Sequence, residues 1–247
     1  MALFEAVHIH KRFGDQVVLE DISLTFEEGR VSGIMGPNGA GKTTCFNVLT
    51  GRYRPDRGEI RFAGARIDGL APQQIARAGL ARSFQIINLF DEFTALENIV
   101  LALPAARAMR RRLFGSWFAD RAVAESAMEI LELVGLDGRS ETISRSLSYG
   151  DRRALEIGVA LAAEPRILFL DEPTSGLGAE GTARLMRLIG ELRRRYTIVI
   201  IEHDMRFLLG LADRISVIQW GQVIAEGTPE ELGRNMWVKR SDLGRVN

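Results

Sequence analysis

Between Leu3 and Phe26 short apolar and β-branched stretches alternate with polar residues, and Gly14-Asp15 interrupts them with a turn. Side chains on a strand point to opposite faces in turn, so this alternation predicts an antiparallel sheet. The next stretch, RVSGIMG, is mostly apolar and runs straight into GPNGAGKTTCFNVLTG, where helical spacing begins after Gly41. This is a strand, a glycine-rich loop and a helix in immediate succession. EIRFAGARI (59–67) reads as a further hairpin strand. APQQIARAGL reads as a short helix with proline in its first turn, where an N–H would lack a partner in any case.

From about Thr94 to Leu136, Ala, Leu, Arg and Glu recur with the helical period, broken near Pro104 and Gly115, which predicts a helical insertion. RILFLD and YTIVIIEHD are apolar runs of strand length, each followed by a helical pattern, and that alternation predicts parallel strands buried on both faces. RISVIQWGQVIAEG reads as a hairpin turning at Gly221, and TPEEL from Thr228 as a capped helix. The predicted fold is therefore α/β: a mostly parallel core sheet, an N-terminal antiparallel β subdomain and an inserted helical subdomain. We expect one domain over 1–247, with the core and its β lobe at approximately 1–90 and 151–230, the helical subdomain at 91–150 and a tail at 231–247.

With 247 residues, 46% of them hydrophobic, the chain is long enough to bury a full core. Lys+Arg and Asp+Glu both number 32, so no overall basic field draws it to nucleic acid. The single Cys45 excludes an internal disulfide and fits a reducing compartment. The first residues, MALFEAVHIHKRF, lack the order of a signal peptide, and no apolar run approaches the roughly 18 residues of a membrane span. The expected location is the cytoplasm, with any membrane role reached through a partner.

Gly36 to Thr43 spell G-x-x-x-x-G-K-T, and one of only three lysines in the chain falls at the required position. Glycines let the backbone wrap a phosphate chain with its N–H groups, Lys42 reaches the terminal phosphates, and the Thr43 hydroxyl can ligate Mg²⁺. Asp171 ends the apolar strand of ILFLDEP, at the sheet edge where ligands of open α/β folds gather, and can hold the metal directly or through water. Glu172 follows it, placed to polarise an attacking water; the alternative is a solvated acidic turn before Pro173. His203 ends YTIVIIEHD and belongs on the same rim, where a neutral imidazole can bridge the γ-phosphate and that carboxylate. His8 and His10 share a face of an edge-like strand, but no further ligands stand near them in sequence. In LSYGDRRALEI, Ser148 and Asp151 are spaced as in a capping box, which leaves open whether this helix start only closes itself or also receives a phosphate.

The succession of P-loop, GDRRALEIGVAL, FLDEP and EHD, with a helical insertion between, resembles the nucleotide-binding subunit of ATP-binding-cassette (ABC) transporters over nearly the whole chain. The resemblance implies a RecA-like core that uses ATP and Mg²⁺. Gly36, Pro37, Asn38, Gly39, Ala40, Gly41, Lys42, Thr43 and Thr44 would bind the nucleotide, with Phe13 stacked on adenine. Gln85, in SFQ, would touch Mg²⁺ and water and link the core to the helical lobe. The metal set would be Thr43, Gln85 and Asp171, and the catalytic set Glu172, His203 and Gln85. Ser148 and Gly150 would belong to the signature motif, which in this family meets the ATP of an opposite subunit in a head-to-tail dimer. The chain departs from the common LSGGQ at Tyr149 and Asp151, and Gly178 in SGLG stands where the family usually has an aspartate.

LSYG, SFQIINLFDEFTALENI, IEHDM and GTPEEL with a later Leu-Gly are similar to the ATPase subunits of branched-chain amino acid importers. Urea, amide and lipopolysaccharide-export ATPases share parts of this pattern. The implied partners are transmembrane permease subunits, a second ATPase subunit that is identical or different, and, indirectly, a periplasmic solute-binding protein; no nucleic acid is expected. The implied location is peripheral, on the inner face of the cell membrane. A soluble cassette ATPase of DNA repair or translation is the distant alternative, but it would usually bring a second cassette, a coiled coil or a basic surface. Arg110 to Arg112 with Trp117 and Phe118 could meet acidic lipid headgroups, or form an ordinary solvated helix face.

Overall fold

The computed structural model describes residues 1–83, 87–104 and 121–234. Strands β1 (Ala2–Phe13) and β2 (Gln16–Glu27) pair antiparallel across the Gly14-Asp15 turn. β4 (Arg57–Phe62) lies on the other side of β1 and β5 (Ala65–Arg66) completes the order β2-β1-β4-β5. The inner face of this sheet carries Phe4, Phe26 and Phe62, all buried, and the first two meet Phe169 of the core with ring centroids 5.4 and 5.9 Å away. These aromatic edge contacts fasten the β lobe to the second sheet.

That second sheet is built from β3 (Val31–Met35), β6 (Leu80–Arg82), β7 (Ile167–Asp171), β8 (Thr197–Glu202), β9 (Arg214–Gln219) and β10 (Gln222–Gly227), in the order β10-β9-β3-β8-β7-β6. All neighbours are parallel except β9 with β10, which form the hairpin turning at Trp220-Gly221. Every residue of β3, β7 and β8 is buried. Alternation divides them between two cores: Phe169, Val199 and Ile201 face the β lobe and α1 (Lys42–Leu49), whereas Leu168, Leu170, Ile198 and Ile200 face the other helices. Covering both faces is what makes such strands apolar throughout.

The remaining helices are α2 (Pro72–Arg77), α3 (Ala95–Ala102), α4 (Arg121–Leu133), α5 (Tyr149–Leu161), α6 (Ala179–Leu192), α7 (Met205–Leu211) and α8 (Pro229–Arg234). Thr94 caps α3 by accepting from Glu97 N at 3.1 Å, and Glu97 returns an acceptor to Thr94 N at 2.8 Å. Thr228 and Glu231 cap α8 in the same reciprocal way. Each box supplies partners for N–H groups that a helix start otherwise leaves open.

The stretch APQQIARAGL does not stay helical to its end. Its helix stops at Arg77, and Leu80 begins β6, paired in parallel with Ile167. The Gly79 carbonyl accepts from Arg166 N and Ile167 N, so a neighbouring strand distant in sequence takes over where local spacing suggested another turn. Within the predicted insertion, α3 ends just before Pro104, while Gly115 and the Arg110 to Arg112 cluster with Trp117 and Phe118 lie outside the described residues. Among the described residues, no helix is long and apolar enough to cross a membrane.

Candidate functional site

The loop Gly36 to Gly41 leaves β3 and enters α1, with Gly41 at the N-cap in the left-handed region at φ 97°. Glycine is required at 36 for a different reason: a Cβ there would sit 2.2 Å from the Ile218 carbonyl oxygen of β9. The loop is also tied down, because Gly221 N donates to Ala40 O at 3.1 Å while Gly221 O accepts from Glu20 N at 2.8 Å. These bonds join β2, the β9–β10 hairpin and the P-loop. They bring the β1–β2 hairpin, and Phe13 with it, to the same edge. Phe13 is 45% exposed, meets Tyr53 edge-on at 5.4 Å and has Lys11 Nζ 5.5 Å from its ring, leaving aromatic surface free to receive a planar group.

Lys42 is buried inside its own loop, donating to the Gly36 and Pro37 carbonyls at 2.8 and 3.0 Å. Burial pulls its ammonium below the usual lysine range, opposed by the charges of Glu172, Glu202 and Asp171. Those three acids stand at the carboxyl ends of β7 and β8, adjacent parallel strands. Burial, and then repulsion from Glu172, push the Asp171 carboxyl up to about 6. Three clustered carboxylates are costly in a protected site without further positive charge. Asp171 and the Thr43 hydroxyl offer the hard oxygen donors that a divalent cation such as Mg²⁺ takes, and its charge would offset the clustered acids, so the residues present fit that ion.

Glu172 adopts φ 43°, a left-handed conformation unusual for glutamate, and its N–H donates to Ile201 O at 2.8 Å. His203 lies on the same rim: its Nδ1 is 3.9 Å from Glu172 Oε1 and 3.6 Å from Glu202 Oε2, proximity rather than a hydrogen bond. The root of the Gln85 segment is held beside the acids, since Ser83 N donates to Phe169 O at 2.8 Å and Ser83 Oγ accepts from Asp171 N at 3.2 Å. Gln85 itself lies outside the described residues. His8 pairs with Asp21 at 2.6 Å, and no group of three or more metal-ligating side chains occurs among the described residues.

Ser148 is the N-cap of α5 and accepts from Asp151 N at 3.1 Å, as the spacing predicts. The Asp151 carboxylate does not bond back to the Ser148 N–H to close a box; it binds other groups. It is 3% exposed, takes the Ser148 hydroxyl proton on Oδ2 at 2.7 Å, and is paired with Arg184 at 2.5 Å and Arg139 at 3.2 Å. Burial alone would raise its carboxyl; the Ser148 and Arg184 hydrogen bonds, with the charges of Arg184 and Arg139, hold it below the ordinary range. The negative charge that Asp151 brings to this helix start is therefore matched within the chain. Ser148 and Gly150 open on a cavity of about 700 Å³ shared with Gly178 and Arg184, and none of Gly36 to Thr44 lines it.

Sequence reasoning passed over three of these contributors. Glu202 is fully buried and accepts from Thr174 N, Thr174 Oγ1 and His203 N, which pins the loop after Glu172; a lone acid ending the apolar TIVII was the available signal. Arg153, equally buried, binds Glu156 at 2.6 Å and the Glu172 carbonyl at 3.2 Å. Arg184 gave no signal, because its partner lies 33 positions away.

A phosphate-wrapping loop, a buried lysine and acids at parallel strand ends define a P-loop nucleotide hydrolase, and the accompanying helix start narrows the class further. The family model described as ABC transporter matches residues 19–175, and the chain belongs to that family: it is an ATP-hydrolysing, nucleotide-binding subunit of an ABC transporter. It is 40% identical over 244 residues, 95% of each chain, to the high-affinity branched-chain amino acid transport ATP-binding protein LivG of Salmonella typhimurium. Among solved structures, an ABC transporter cassette in its ADP conformation aligns with TM-score 0.83 and 31% identity over 94% of this chain and 92% of that one. A dimeric cassette in a post-hydrolysis state bound to ADP and Pi aligns with TM-score 0.76 and 25% identity over 92% and 98%.

Proposed function

We propose that the chain powers uptake of branched-chain or related amino acids, hydrolysing Mg-ATP on the inner face of the cell membrane while docked on transmembrane permease subunits. The observation that carries the chemical part is the convergence of Lys42, Asp171, Glu172 and His203 where β3, β7 and β8 end. In this reading the backbone N–H groups of the Gly36 to Gly41 loop, Pro37 having none, cradle the phosphates together with that of Thr44, Lys42 turns from its loop carbonyls to the terminal phosphates, and Phe13 stacks on adenine. Thr43 and Asp171, with Gln85, hold Mg²⁺, which when bound offsets charge on the β- and γ-phosphates. Glu172 accepts a proton from the attacking water, and His203 steadies the γ-phosphate beside it.

Ser148 and Gly150 act on a second molecule's ATP, in a head-to-tail dimer with an identical or different ATPase subunit. A cavity that contains Ser148 and Gly150 but no residue of the chain's own P-loop supports this division of labour. The membrane partner docks beside the Gln85 segment, where Phe90 and Phe93 stack at 5.4 Å and remain 60% and 38% exposed. The amino-acid substrate rests on likeness to LivG, since its binding site would lie in other subunits. Reconstitution with the permease and solute-binding subunits tests the reading: ATP-dependent uptake of labelled leucine into vesicles is expected, and uptake of urea without leucine would redirect it.

A further inference from the structure

The Ser148 hydroxyl has one proton to give, and in the structure it goes to Asp151 Oδ2 at 2.7 Å. A phosphate oxygen is an acceptor at neutral pH, so a nucleotide arriving at Ser148 competes with Asp151 for that single donor. A carboxylate hydrogen bond is the stronger kind, and Asp151 would keep the proton if its remaining valences were empty. They are filled: Arg184 Nη1 binds Oδ1 at 2.5 Å and Arg139 Nη1 lies 3.2 Å from Oδ2. Arg184 is itself oriented by donating through Nη2 to Gly135 O at 2.9 Å, just beyond the end of α4. One guanidinium of α6 thereby spans the end of α4 and the start of α5.

We propose that Arg184 is a positioning residue for the partner's ATP: by holding Asp151, it frees the Ser148 hydroxyl to turn from the aspartate to the phosphate when the dimer closes. Asp151 is then a competing acceptor built into the helix start, and Arg184, helped by Arg139, keeps it from winning. This inference rests on the head-to-tail reading above. Tyr149 holds the same helix start in register, its hydroxyl donating to Ser175 O at 3.2 Å, so the exchange needs only a hydroxyl rotation and not a displaced helix.

The test is ATP-dependent dimerisation of the full chain carrying Glu172→Gln, followed by sedimentation velocity, with mant-ATP reporting nucleotide at the P-loop. Arg184→Gln is expected to raise the ATP concentration for half-maximal dimer about tenfold, the size of one lost hydrogen bond to a charged group, with monomer mant-ATP binding unchanged. Adding Asp151→Asn removes the competing charge and is expected to return dimerisation to within about twofold of the Glu172→Gln parent. A merely structural clamp behaves otherwise, because the double variant also lacks it. A double variant as impaired as Arg184→Gln, or Arg184→Gln indistinguishable from the parent, overturns the proposal while leaving the dimer reading intact. A parent that stays monomeric with ATP, or a bulky Ser148→Arg that still dimerises, overturns the head-to-tail reading and this inference with it.

Discussion

Asp171→Asn is expected to stabilise the ligand-free protein while removing its response to Mg²⁺. In the folded chain the Asp171 carboxyl titrates at about 6 instead of the usual 3.8, mainly because it is buried and secondarily because Glu172 stands beside it. As pH rises the unfolded chain loses this proton first, so the contribution of Asp171 to stability falls between those two values and stays low above them. The difference corresponds to roughly 3 kcal/mol of instability at neutral pH. Asparagine matches the size and carries no charge, and the backbone N–H that donates to Ser83 Oγ is retained. Urea denaturation in EDTA is therefore expected to show the variant more stable by roughly 3 kcal/mol near pH 7.5 and by roughly half as much near pH 5. With Mg-ATP at about 100 times the wild-type Kd the gap narrows, because the ligand adds roughly 2.7 kcal/mol to the wild type and less to the variant, which lacks the metal-dependent part. A gain that is the same at both pH values, or a loss at pH 7.5 without ligand, refutes the account of Asp171 as a destabilised metal ligand.

Cys45 sits fully buried in α1, where desolvation pushes its thiol up to about 12, so it is expected to resist Ellman's reagent in the native protein and to react fully in denaturant. Rapid native labelling would contradict the packing of α1 beneath the P-loop. Gly178 is the N-cap of α6 with φ −75° and ψ 177°, open to any residue, and a Cβ there meets nothing within 4 Å. Gly178→Asp is expected to fold normally, to stabilise the helix by about a few tenths of a kcal/mol in thermal denaturation, and to raise the Hill coefficient of ATP hydrolysis in a homodimer. An unchanged coefficient removes the carboxylate at this loop from the account of how two sites communicate.

Most of the fold is legible because its strands differ in kind. TIVII and ILFL are buried on both faces and read as parallel core strands, while the alternation from Leu3 to Phe26 reads as a sheet with one dry face. β6 escapes this reading: three residues after a helix carry too little pattern, and only pairing with β7 makes them a strand. The P-loop and the acids at strand ends were legible because their chemistry sits on contiguous residues at sharp turns. Arg184 and Arg139 were not, since an arginine on a helix surface looks the same whether it meets water or a buried aspartate brought by another helix. The capping-box spacing of Ser148 and Asp151 foretold the local bond and gave no hint of the two guanidinium partners. Glu202 illustrates the intermediate case, a visible acid whose job of anchoring Thr174 and His203 appears only when loops from two strands meet.

The central claim is that Glu172 serves the water while the P-loop holds the nucleotide, and it is tested most directly by following ATP and phosphate together in Glu172→Gln. Rapid mixing with radiolabelled ATP and Mg²⁺, then filtration and quenching, measures bound ATP and released phosphate in one sample. The account predicts ATP retained on the variant at wild-type occupancy with phosphate release reduced at least about a hundredfold, the scale of a lost general base. Phosphate release at the wild-type rate would contradict it.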